Sequence, residues 1–106
     1  MNNDRLKENI QDTIDDLQKI AELFYQQSDK EAFEKFITTI DDIGVLIDCL
    51  NEYYEETGLI EFDKEKIYNI LNDSMKAFQD DDKILMVDIL QYDFSEYLES
   101  ILSQMS

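Results

Sequence analysis

The chain has 106 residues, the size of one domain with one core, and 43% of them are apolar, enough to fill that core. Twenty-six acids against nine bases leave a net charge of −17, a field that repels phosphate backbones and anionic lipid and favours basic partners. With no Pro and two Gly, the chain lacks the punctuation that sheet folds and loop-rich enzymes need, whereas long helices need almost none.

Leu6, Ile10, Thr13, Leu17, Ile20 and Phe24 recur at alternating spacings of four and three, which predicts a helix over 3–26. Ser28-Asp29-Lys30-Glu31 has the form of a capping box and predicts the start of a second helix over 29–57. Its apolar stripe is Phe33, Phe36, Ile40, Ile43, Ile47, Leu50 and Tyr54, widened by Ile37, Leu46 and Tyr53. Gly58 stands where a left-handed residue would end it. Gly44, in mid-helix, costs about 1 kcal/mol against Ala, and a close helix crossing would explain its presence. Asp63 reads as the cap of a third helix over 64–79, with Phe62 and Ile67 at the positions of a hydrophobic staple. Asp80-Asp81-Asp82 supplies a turn and a cap for a fourth helix over 83–104.

The main face of the fourth helix is expected to be Ile84, Val87, Leu90, Phe94, Tyr97 and Ile101, with a second stripe of Leu85, Ile89 and Tyr92 nearly opposite. Short connections make sequential helices antiparallel neighbours, so the expected fold is all-α: an antiparallel four-helix bundle in a single domain, 1–106. Its core is expected to bring Phe36, Ile40, Ile43, Ile47 and Leu50 together with Leu17, Val87, Leu90 and Phe94.

Several kinds of chemistry lack their residues. With no His there is no Ser-His or Cys-His nucleophile and no Glu-x-x-His di-iron pair. The lone Cys49 cannot build a zinc site or an internal disulfide, and it reads as a core or boundary residue. No Gly-rich loop can cradle a phosphate, and the residues after Asp80 lack the Gly and closing acid of a calcium loop. No catalytic residue, metal ligand or cofactor is expected. Met1 to Arg5 lack the pattern of a secretory leader, and no run approaches the length of a membrane span, so the expected setting is cytoplasmic.

Two features could carry function. The stretch from Phe36 to Asp63 has eight acids and no base, and Asp41, Asp48, Glu52 and Glu55 share one helix face. Such a row reads first as a solvated outer face and second as an imitation of a phosphate backbone. Leu85, Ile89 and Tyr92 read either as a second buried face or as a surface for a partner protein or a second copy, with Tyr92 as anchor. Asp88, which interrupts the apolar run, reads as a boundary acid bonded to a helix end or a Tyr.

The segment Asp82 to Asp93, with its Asp, apolar run, Asp, two aliphatics, Gln91, Tyr92 and Asp93, resembles a pattern in small acidic helical proteins of low-GC Gram-positive bacteria. Phe36 to Leu50, centred on Ile43-Gly44-Val45-Leu46-Ile47, is similar to the Gly-containing core helix of the same proteins. The chain departs from them after Tyr92, where Ser95 to Ile101 contains neither the Pro nor the closing Trp. The resemblance implies an all-helical fold and a bacterial source, and no activity. The expected function is therefore a non-enzymatic interaction module: an adaptor, a chaperone-like protein or a self-associating bundle. The alternative is an acidic nucleic-acid mimic, a decoy that binds a basic DNA-binding protein.

Overall fold

Helix α1 (Asn3–Tyr25) buries a stripe wider than its spacing first suggests, because Ile14, Ala21 and Leu23 join Leu6, Ile10, Thr13, Leu17, Ile20 and Phe24. Helix α2 (Asp29–Thr57) buries Ala32, Phe36, Thr39, Ile43, Leu46, Ile47 and Leu50, and helix α3 (Lys64–Gln79) buries Ile67, Leu71, Ser74 and Ala77. Helix α4 spans 83–104 in three consecutive parts: α-helical Lys83–Asp88, π-helical Ile89–Phe94 and α-helical Ser95–Gln104. Residues at both junctions keep right-handed helical φ and ψ, so the rod is continuous. The computed structural model describes residues 3–105; Met1, Asn2 and Ser106, at the limits of the expected domain, lie outside the described residues.

No strand occurs among the described residues. Helix α1 packs along α2 and along all three parts of α4, while α3 packs on the first two parts of α4 and, more briefly, on α2. Sequential helices are thus neighbours, α4 closes the ring onto α1, and the expected antiparallel four-helix bundle is the fold. Of the predicted core, Leu17, Phe36, Ile43, Ile47, Leu50, Val87, Leu90 and Phe94 are buried, and Ile40 is half-buried at the edge.

Three helix starts and ends follow the expected chemistry. The Asp63 carboxylate accepts the Lys66 amide at 3.2 Å, and the Asp82 carboxylate accepts the Leu85 amide at 3.1 Å. Gly58 adopts φ 63°, and its N–H donates to the Tyr54 carbonyl, closing α2.

The Ser28 capping box does not form. Ser28 has no side-chain cap bond; its amide instead donates to the Leu23 carbonyl at 2.8 Å, after Gln27 turns through φ 61°. The same closure ends α3, where Asp81 takes φ 54° and the Asp82 amide donates to the Ala77 carbonyl at 2.9 Å. Both turns put a non-glycine residue in the left-handed region to satisfy the last carbonyls of a helix. Gly44 makes no close crossing either, since a Cβ built there meets nothing within 4 Å.

The α2–α3 connection is tied to the end of α4. Ile60 and Met105 are buried, and the Gln104 side-chain oxygen accepts the Glu61 amide at 2.7 Å. The Tyr97 hydroxyl accepts the Asp63 amide at 2.9 Å and donates to the Asp63 carbonyl at 3.2 Å. Burial holds the Tyr97 phenol above its ordinary value of 10.0, and the Asp63 charge adds to this against the opposing pull of the Asp63 amide.

Two outcomes follow from these positions. Gly44→Ala should stabilise the protein by about 0.5–1 kcal/mol, because the space is open and the helix gains propensity. An unchanged or lower midpoint in urea would contradict this. The raised Tyr97 value means that its contribution is complete below pH 10.0 and is lost as pH climbs through the folded-state value. Tyr97→Phe should therefore cost about 0.5–1.5 kcal/mol at neutral pH and make the alkaline fall in stability shallower, both measurable by thermal unfolding across pH.

Candidate functional site

The chain places an apolar groove where the end of α1 meets the start of α4. Phe24, Tyr25, Lys83, Ile84, Val87 and Asp88 line a space of about 140 Å³. Its floor is firm: Phe24 and Val87 are buried, and Phe24 stands edge-on to Phe33 at 5.1 Å between ring centroids. Phe33 in turn meets Phe78 edge-on at 4.8 Å, and Phe78 stacks on Phe36 at 5.5 Å. This chain of rings joins α1, α2 and α3 beneath the groove.

The walls are held as well. The Tyr25 hydroxyl donates to the Gln91 side-chain oxygen at 3.2 Å, which pins the ring across the α1–α4 seam. Lys83 is ion-paired with Asp29 at the start of α2, which fixes its aliphatic stem. The Asp29 hydrogen bond raises the Lys83 ammonium above its ordinary value, with the Asp29 charge second and Asp81 adding to it. The one ammonium at the groove thus already faces a carboxylate. Asp88, expected as a boundary acid tied to a helix end or a Tyr, is instead exposed on the groove's lip.

Ile84 was expected on the buried face of α4 and is 80% exposed, the most exposed of the large apolar side chains among the described residues. Among the residues of the second stripe, Leu85 and Tyr92 are exposed at 47% and 54%, whereas Ile89 is buried. The three do not form one surface. The reason lies in the π-helical part of α4, which gives the first half of the helix a different rotation from the one an unbroken α-helix would have. Met86, absent from the expected face, is fully buried in the place that Ile84 was expected to take.

Asp41, Asp48, Glu52 and Glu55 are all exposed on α2, as an outer face requires. Val45, 63% exposed, lies between Asp41 and Asp48 and interrupts the acidic row with apolar surface, and Ile37, 55% exposed, borders it one turn before Asp41. Cys49 is half-buried with a free thiol. Among the described residues, no group of three His, Cys, Asp or Glu side chains is placed to hold a metal ion, and no helix is long and apolar enough to cross a membrane.

The groove is the feature that a reading of the sequence missed. It arises between two helices distant in the chain, and its signal there was no more than Tyr25 ending one apolar stripe and Ile84 opening another. Fold and surface together define an acidic four-helix domain whose helix seams and outer faces expose apolar side chains. A family model described as "Domain of unknown function (DUF8042)" matches residues 4–104, and the chain belongs to this family. No curated protein and no solved structure matches it.

Proposed function

We propose that the chain is a non-enzymatic protein-interaction module, an adaptor or chaperone-like bundle that docks a protein partner on the outer side of α4. The observation that carries this reading is the exposure of Ile84, Leu85 and Tyr92 along that one helix, with Ile84 the most exposed of the large apolar side chains among the described residues. Removing such side chains from water is what drives association, and an exposed Tyr supplies both an apolar body and a polar tip. The cytoplasm is the proposed setting, on the grounds of one unpaired cysteine.

The exposed acids of α2 support a second reading, the decoy for a basic DNA-binding protein. It ranks below the first because Val45 breaks the row where a phosphate backbone would present charge alone.

The test is a paired substitution, Leu85→Lys with Tyr92→Lys. Ile89→Lys would bury a charge and report on folding instead of contact. Because both altered positions are exposed, the variant should keep its cooperative unfolding and its helical circular dichroism. It should lose the partner that the unaltered protein retains on affinity capture from source cells, or lose self-association in light scattering. Unchanged capture and unchanged association in a folded variant would contradict the reading.

A further inference from the structure

We propose that the groove between Tyr25 and Ile84 receives one large aliphatic side chain from a Lys/Arg-rich segment of a partner protein. This deepens the interaction-module reading and rests on it.

Size selects the occupant first. A space of about 140 Å³ suits one branched side chain and not the face of a second bundle. Phe24 and Val87 supply an apolar floor, and the stems of Ile84 and Lys83 with the ring of Tyr25 supply walls, so an entering Leu or Ile meets apolar surface on several sides. The groove is also organised in advance. The Tyr25–Gln91 bond and the Lys83–Asp29 pair hold two walls from opposite directions, and the ring chain from Phe24 to Phe36 holds the floor. A ligand therefore orders few protein side chains when it binds, which lowers the cost of binding.

Charge selects the segment that carries the side chain. Asp88 lines the groove, and the one ammonium there, Lys83, is already matched by Asp29 and feels the charge of Asp81, within a chain of net charge −17. Lys or Arg residues flanking the apolar anchor would sit in a favourable field, and an acidic or phosphorylated segment would be repelled. The same field disfavours a second copy of this chain, because each copy would bring its own −17 to the contact.

The experiment is an NMR titration of the isotopically labelled full chain with a short synthetic peptide carrying Lys and Arg around a single Leu. The peptide should shift the amides of Phe24, Tyr25 and residues 83–88. A peptide with Leu replaced by Ser, at the same charge, should bind at least about tenfold more weakly. Ile84→Ser should cause a comparable loss without lowering the melting temperature, since Ile84 is almost fully exposed. Asp88→Asn should weaken binding and flatten its dependence on salt. The proposal is overturned by absence of binding, by equal binding of the Leu and Ser peptides, or by shifts confined to the Asp41–Glu55 face of α2. If the peptide fails while capture still depends on Leu85 and Tyr92, the groove assignment falls alone; if neither is seen, the interaction-module reading falls with it.

Discussion

The bundle depends on α4 keeping one apolar seam in line along its whole length, against α1 throughout and against α3 over its first two parts. The buried residues of α4 fall in two sets, Met86, Val87, Ile89 and Leu90, then Phe94, Ser95, Leu98 and Ile101, with Met105 beyond. Within each set the spacings suit an α-helix. Between the sets they do not: one residue turns an α-helix by about 100°, and the second set would be rotated by most of that step. The π-helical turn at Ile89–Phe94 takes up the extra residue and brings the sets into line. It leaves carbonyls without their usual partners, and the Ser95 hydroxyl, buried in the same seam, donates to the Leu90 carbonyl at 2.8 Å.

The surface follows from that seam. Rotating the first half of α4 drives Met86 and Ile89 inward and leaves Ile84 and Leu85 outside. Ile84 then has no helix above it, and Tyr25 reaches across from α1 to form the opposite wall of the groove. The aromatic chain below joins the three other helices at that end, so the groove sits on a well-packed part of the molecule. Carboxylates remain outside on every helix, and the apolar residues exposed among them are the ones that have a use to explain.

Most of the fold was legible because long amphipathic helices repeat their signal many times. Leu6 to Phe24 and Phe36 to Leu50 each offer several turns of the same spacing, and the structure buries both stripes apart from the half-buried Ile40. The carboxylate caps at Asp63 and Asp82 were legible because their geometry is local. Ser28 was not, because its turn is set by the closure of the preceding helix onto Leu23, which a motif of four residues does not contain. The ends at Gln27 and Asp81 carried no glycine to mark them. The π-helical turn was the largest omission. A strict α-helical wheel assigns Ile84 to the core and Ile89 to the outside, and the packing reverses both. Its trace in the sequence is the five-residue step from Leu90 to a buried Ser95, which is visible once both partners are known.

The most direct test of this account removes the extra residue. Asp93 is exposed within the π-helical part, and deleting it lets residues 83–103 of the shortened chain form one regular α-helix. If the turn exists to take up one extra residue, removing that residue leaves the two apolar sets in line on a regular helix, so the variant should unfold cooperatively in chemical denaturation within about 1 kcal/mol of the parent. A loss of about 3 kcal/mol or more would show that the two sets fall out of line once the extra residue is gone, and would contradict the account.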